Sequence, residues 1–140
     1  MPSGLLFGGR APVAPIDLDL LLPSIAHVLA NPASVLRQFY AHLQRLDPRL
    51  RYLLPAELPR YMQFALHELL RTRTLMIDGR GMGRLGKRLC SAGFDWPDVD
   101  TLVAAWLATL EETLGEAFDT EVREEWVRLY GMLRAQSTPR

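Results

Sequence analysis

The sequence predicts an all-α domain of six to eight helices, and two observations lead to that prediction. Apolar residues recur at spacings of three and four along most of the chain, which is the period of an amphipathic helix. No segment alternates apolar and polar residues over the length of a β-strand. A length of 140 residues corresponds to one ordinary domain with a core of its own.

Cap and turn residues divide the chain into its predicted helices. Asn and Asp side chains accept hydrogen bonds from the first free N–H groups of a helix, and proline is tolerated in the turn that follows. Asn31-Pro32 and Asp47-Pro48 combine both signals. Asp95 and Asp119 are expected to cap the last two helices, and Gly115 to end the first of these. Pro23 falls inside a helical pattern and is expected to break or kink it. The predicted helices cover about residues 17–30, 32–46, 48–55, 57–76, 85–90, 96–114 and 119–135.

The charge is balanced overall but uneven along the chain. Sixteen basic residues, of which fifteen are arginine, oppose sixteen acidic ones, so we expect no nucleic-acid partner and no anionic membrane. Up to Phe94 the basic residues outnumber the acidic ones by 12 to 6, and from Asp95 onward the acidic ones lead by 10 to 4. Such a split is typical of complementary packed faces.

The ends of the chain and its single cysteine bear on its location. Residues 1–16, rich in Gly and Pro, are predicted to be a flexible arm, and residues 17–135 a single domain. The arm contains an apolar run of only three residues, which is shorter than a signal-peptide core, and no apolar stretch approaches 18 residues. With one cysteine no intramolecular disulfide forms. We therefore expect a cytoplasmic protein.

Two motifs that resemble ligand sites have simpler interpretations. Gly81 to Gly86 matches the spacing G-x-G-x-x-G of dinucleotide-binding loops, but no predicted strand precedes it, so a flexible connector is expected. His27, His42 and His67 do not pair at the four-residue spacing of a helical metal site. They are expected to be surface or rim histidines, and no metal site is predicted.

Three further groups of residues could have either a chemical or a structural role. Cys90 lies beside two basic residues that would lower a thiol pKa, yet a lone cysteine more often packs as a small hydrophobe. Trp106, Trp126 and Tyr130 are expected to be core aromatics. The carboxylates of the C-terminal part lack a partner base for acid–base catalysis, so we expect no enzyme. They are expected to form a solvated face: Glu111, Glu112, Glu116, Asp119, Glu121, Glu124 and Glu125.

Two stretches resemble globins. Phe39 to Pro55 (FYAHLQRLDPRLRYLLP) is similar to the second and third helices of single-domain bacterial haemoglobins and of the globin domain of flavohaemoglobins. Leu114 to Gly131 (LGEAFDTEVREEWVRLYG) is similar to the turn and final helix of the same proteins. The resemblance extends in order over about residues 17–134 and implies a globin-like fold for the predicted domain.

The resemblance implies a pocket for haem, and its positions are compared with this sequence. Tyr40 matches the distal tyrosine that donates a hydrogen bond to iron-bound oxygen. Leu54 stands where the family has the phenylalanine that stacks on the porphyrin. Tyr61 lies near the position that a distal histidine or glutamine occupies in the family. On the proximal side, Leu89 replaces the histidine that binds iron, and Val99 replaces the tyrosine that supports it.

Two functional hypotheses follow from this comparison. Because leucine cannot bind iron and no histidine follows His67, the first is a haem-free globin-like protein without a cofactor. It would act as a sensing or protein-interaction module for an unknown protein partner or as a homodimer, with its pocket collapsed or holding an apolar ligand. The alternative is a haem-binding bacterial globin in which Cys90 or Tyr61 binds the iron and the haem binds oxygen or nitric oxide.

Overall fold

A computed structural model of the chain describes residues 16–72 and 87–137. Within these two ranges no strand is present, which confirms the all-α prediction. A 3₁₀ turn, Gly115–Ala117, joins the last two helices, and Gly115 adopts a φ of 59° that ends the helix before it, as the sequence predicts. The helices are α1 (Leu18–Ala30), α2 (Pro32–Leu46), α3 (Pro48–Leu53), α4 (Leu58–Thr72), α5 (residues 87–91), α6 (Trp96–Leu114) and α7 (Thr120–Ser137).

Side-chain caps explain why three of the helices begin where they do. The Asp47 carboxylate accepts a hydrogen bond from the backbone N–H of Arg49 at the start of α3. Asp95 and Asp98 form a reciprocal capping box at the start of α6. The Asp119 carboxylate accepts the N–H of Val122 at 3.0 Å and caps α7. These predicted caps are confirmed.

The first two helices meet at Asn31 and depart from the prediction in two ways. Asn31 makes no side-chain cap for α2, and its amide instead donates to the carbonyl of His27 at the end of α1. The expected break at Pro23 is wrong, because α1 continues through it. Pro23 is exposed, so water can reach the carbonyl of Asp19 that has lost its N–H partner.

Among the described residues no single helix is long and apolar enough to cross a membrane. Only α1 and α2 taken together meet that criterion, and they are bent by 101° at their junction.

The first core lies where α1, α4, α6 and α7 meet. Helix α1 packs against both α4 and α7, and α6 runs beside α7. Trp106 and Trp126 meet edge to face with ring centroids 5.8 Å apart, which confirms both as core aromatics. Ile16, the last residue of the predicted arm, also packs against this cluster. Its buried members are Leu18, Leu21, Ile25, Val28, Val35, Ala65, Leu66, Leu69, Leu107, Leu110, Phe118, Val122, Trp126 and Leu129.

The second core lies on the other side of α6, between α6, α2 and α3. Helices α2 and α6 form the most extensive helix pair of the described residues. Trp106 packs against both cores and joins them. The buried members of the second core are Phe39, Leu43, Leu50, Leu58, Leu89, Phe94 and Ala105.

Glu125 is an exception to the predicted solvated face. Its carboxylate is buried and accepts the backbone N–H of Asp17 at 2.7 Å, just before α1 begins. The guanidinium of Arg128 donates to the same oxygen at 3.0 Å. Both bonds compensate the cost of burying the charge. Glu125 thus accepts a free backbone N–H at the start of α1, although the two residues are 108 positions apart in the sequence.

Candidate functional site

The second core brings together three of the five residues predicted to line a pocket. Tyr40 and Leu54 are half-buried at its margin, and Leu89 is buried within it. Tyr61 is buried on α4 and Val99 is half-buried on α6, but neither belongs to this cluster. The structure therefore places Tyr40, Leu54 and Leu89 in or beside one apolar cluster.

The residue that the globin resemblance aligns with the iron ligand packs among apolar side chains. Leu89 is only 8% exposed and packs in one cluster with Phe39, Leu43 and Phe94. A haem needs a ligand for its iron and a slot for the porphyrin, and an aliphatic side chain offers the iron no lone pair. The residues present do not fit a haem held in the ordinary way.

Neither of the two predicted alternative iron ligands, Cys90 and Tyr61, belongs to this cluster. The Cys90 thiol is exposed, so the expectation that it packs as a small hydrophobe is wrong. Successive residues of a helix point about 100° apart, and Leu89 takes the inward direction. In the described ranges, no three His, Cys, Asp or Glu side chains gather in a way that could hold a metal ion.

Tyr61 is engaged near the surface by a basic residue. The pKa of Arg88 is raised, mainly by its hydrogen bond to Glu57 and to a lesser extent by a hydrogen bond with Tyr61. The Arg88 guanidinium lies 3.1 Å from the Glu57 carboxylate. The Tyr61 hydroxyl therefore bonds to Arg88, whose ion pair with Glu57 links α5 to the residue just before α4.

Tyr40 shows how the margin of the second core meets solvent. Burial raises the pKa of its hydroxyl, and the nearby positive charge of Arg51 offsets part of that rise. The Arg51 guanidinium lies 5.4 Å from the centre of the Tyr40 ring and 5.7 Å from that of Tyr52. Arg51 is thus held against two aromatic rings, an arrangement that orients the cation.

Three exposed apolar residues lie within five positions of this arginine in the sequence. Tyr52 is 73% exposed, Leu46 53% and Leu53 36%. Helix α3 buries only Leu50, because six residues make too few turns to place a second side chain in the core. We call Leu46, Arg49, Arg51, Tyr52 and Leu53 the α3 surface. Sequence reasoning missed it, although an amphipathic pattern too short to bury its own aromatic residue was a visible signal.

Polar contacts between α2 and α6 place one of the three histidines. His42 Nε2 lies 2.6 Å from a carboxylate oxygen of Glu112, and Arg45 donates to His42 Nδ1. Because an arginine only donates, Nδ1 accepts and Nε2 carries the proton. His42 is therefore a rim histidine that links α2 and α6, and Glu112 is another carboxylate with a partner.

A shallow apolar depression lies away from these residues. It is formed by the end of α1, the start of α2 and the outer side of α4. None of the predicted pocket residues lines it. The lining residues are Val28, Pro32, Val35, Leu36, Pro59, Met62, Gln63 and Leu66.

Several predictions fall on residues that the structure does not describe. Residues 1–15 of the predicted flexible arm, residues 73–76 of the predicted fourth helix, the glycine motif from Gly81 to Gly86, and residues 85–86 of the predicted fifth helix lie outside the described ranges. Comparisons of the chain with known protein families, with curated protein sequences and with solved structures found no match.

Proposed function

We propose that this chain is a haem-free, globin-like protein of the cytoplasm that acts as a sensing or protein-interaction module. The observation that carries the proposal is Leu89. It occupies the position that the resemblance assigns to the iron ligand, and it is buried among the apolar side chains of the second core. A collapsed pocket, filled by the protein's own side chains, explains this packing.

The helices support the globin-like part of the proposal. The resemblance implies a short third helix and a long final pair, and the chain has a six-residue α3 followed later by α6 of 19 and α7 of 18 residues. Globins pack their helices pairwise around the haem pocket. In the proposal, the second core between α2, α3 and α6 takes the place of that pocket.

The α3 surface supports an interaction role. Aromatic and arginine side chains are enriched where proteins bind one another, and an exposed apolar patch on a small domain often marks such a site. Tyr52 and Arg51 supply both residue types next to exposed Leu53. No nucleic-acid or membrane partner is part of the proposal.

Hemin titration tests the haem-free state. We expect protein purified from cells supplied with a haem precursor to show no intense haem band, and added hemin to bind loosely and be lost on gel filtration. A stoichiometric band that survives gel filtration would overturn the proposal. Cys90→Ser and Tyr61→Phe would then show which side chain supplies the ligand, because the band would shift or vanish in one of them.

The variant Leu89→His tests whether hemin is not retained because the iron ligand is missing or because side chains fill the pocket. The variant restores an imidazole at the proximal position but buries a polar ring among apolar side chains. We expect a folded but less stable protein that still fails to retain hemin. Retention by Leu89→His but not by the natural chain would mean that the slot is open and lacked only its ligand, so the collapsed-pocket part of the proposal would be wrong.

A further inference from the structure

Two arginines of the described residues are stacked on aromatic rings. The guanidinium carbon of Arg134 lies 4.9 Å from the centre of the Trp96 ring. That of Arg51 lies 5.4 Å from the ring centre of Tyr40 and 5.7 Å from that of Tyr52. A guanidinium carries its N–H donors in its own plane, so a ring against its face leaves the edge free for an acceptor. The two arginines differ in what this edge binds.

Arg134 shows the complete arrangement. Its guanidinium donates to both carboxylate oxygens of Asp100, at 2.8 and 3.2 Å. The hydroxyl of Tyr130 donates to the same carboxylate. A stacked guanidinium and a phenol hydroxyl thus share one carboxylate between α6 and α7.

Arg51 has the same two kinds of donor beside it but no carboxylate. Among the described residues, neither its guanidinium nor the Tyr40 hydroxyl forms an ion pair or a hydrogen bond. Arg49, two positions earlier, is paired with Asp98 at 2.8 Å and with Asp47 at 3.4 Å. Burial raises the pKa of Tyr40, so its hydroxyl stays protonated at neutral pH and can donate.

Stacking also distinguishes Arg51 from other exposed arginines. Arg37 and Arg71 are exposed and form no ion pair with a described residue, but no ring holds their guanidinium groups. A long side chain that is free to move loses conformational entropy when it binds, whereas a stacked one is already oriented. The arrangement therefore singles out Arg51, and Arg71 provides a matched control.

We propose that Arg51 and Tyr40 bind the carboxylate of a ligand from outside this chain. The guanidinium would donate through its free edge and the Tyr40 hydroxyl to the same group, as Arg134 and Tyr130 do with Asp100. The carboxylate belongs either to a small molecule or to an acidic side chain of another protein. The proposal rests on the interaction role proposed above and names the group that the α3 surface recognises.

Titration with benzoate, followed by NMR, tests the site. Benzamide is the matched probe, because it has nearly the same shape without the charge. We expect benzoate at millimolar concentration to shift the side-chain signals of Arg51 and Tyr40, and benzamide to leave them in place. Arg51→Gln should weaken benzoate binding at least about tenfold, and Tyr40→Phe, which keeps the ring, about three- to tenfold. Arg71→Gln should bind benzoate like the natural chain.

A tripeptide leucine–glutamate–leucine with both ends blocked distinguishes the two sources of the carboxylate. Tighter binding of the peptide than of benzoate would assign the site to an acidic side chain of a protein partner, and the reverse order to a small molecule. The same peptide with glutamine in place of glutamate should not bind.

Three results would overturn the proposal. They are a natural chain that binds neither carboxylate, benzamide bound as tightly as benzoate, and benzoate binding that Arg51→Gln leaves unchanged. Circular dichroism checks that the variants are folded. If Arg51→Gln unfolds, Arg51→Lys replaces it and should also bind more weakly, because an ammonium lacks the planar fork. A chain that binds neither carboxylate and also fails to retain hemin would lose only this site, whereas retained hemin would overturn the haem-free function itself.

Discussion

The two cores of this domain are built from similar side chains but end differently at their margins. The first core joins helices from both ends of the chain, and at its margin the Glu125 carboxylate accepts a backbone N–H at the start of α1. The second core is assembled around α2, α3 and α6, and its margin opens to solvent at Tyr40, Arg51 and Tyr52. The first core therefore ties the first and last helices to each other, whereas the second core leaves polar and aromatic side chains exposed at its margin.

Replacing one fully buried leucine in each core is the strongest test of this comparison. Leu110 in the first core and Leu43 in the second are both 0% exposed and both lie inside helices. Each Leu→Ala change should lower the free energy of unfolding by about 2–5 kcal/mol, because a cavity replaces the lost methyl groups. Urea unfolding followed by circular dichroism measures both losses.

Similar losses at the two sites would mean that the second core is packed as tightly as the first. The exposed Leu46, also in α2, provides a control, and Leu46→Ala should cost less than about 1 kcal/mol. If Leu43→Ala cost as little as Leu46→Ala, the second core would be loosely filled, and a ligand-holding pocket would replace the collapsed one.

Truncating one side chain at the margin of each core should lower the free energy of unfolding by unequal amounts. Glu125→Ala leaves the N–H of Asp17 without its acceptor and takes the carboxylate away from Arg128, so we expect a loss of about 1–3 kcal/mol. Arg51→Ala removes only cation–π contacts at an exposed position and should cost about 0.5–1 kcal/mol. Thermal and urea unfolding of both variants give the comparison.

Glu124→Ala is the control for the margin of the first core, because it deletes an exposed carboxylate from the same turn of α7. It should stay within about 0.5 kcal/mol of the natural chain. Equal losses for Glu124→Ala and Glu125→Ala would show that the bond to Asp17 does not stabilise the fold, and the contrast between the two margins would disappear.

Local signals in the sequence were sufficient for the helices. An aspartate at the right place caps a helix whatever it packs against, so Asp47, Asp95 and Asp119 could be assigned from the sequence.

What local signals could not give is which side chains meet across the fold. Glu125 has the same sequence environment as Glu124, and only the arrival of α1 decides that one is buried. Cys90 is exposed because Leu89 takes the inward direction, which depends on where α5 docks. The stacking of Arg51 between Tyr40 and Tyr52 requires the angle between α2 and α3. The candidate site was therefore predictable residue by residue but not as a surface.

The smallest expected effect concerns a polar contact outside both cores. Tyr130 was expected in the core, but it is half-buried and its hydroxyl donates to Asp100, which also accepts from Arg134 at 2.8 Å. Burial, and then the bond to Asp100, raise the pKa of Tyr130 to about 12. A raised pKa favours the protonated phenol in the folded state, so its contribution to stability is complete below pH of about 10 and is lost as the pH rises toward 12.

Tyr130→Phe should therefore be less stable than the natural chain at neutral pH, and the gap should close between pH 10 and 12. Because the group is largely solvated, we expect a gap below about 1 kcal/mol. Melting temperatures of the two proteins across this range measure it, with Tyr52→Phe as an exposed control that should follow the natural chain. If the two proteins were equally stable at neutral pH, the Tyr130–Asp100 bond would add nothing to the α6–α7 pairing, and a gap that did not close by pH 12 would contradict the raised pKa.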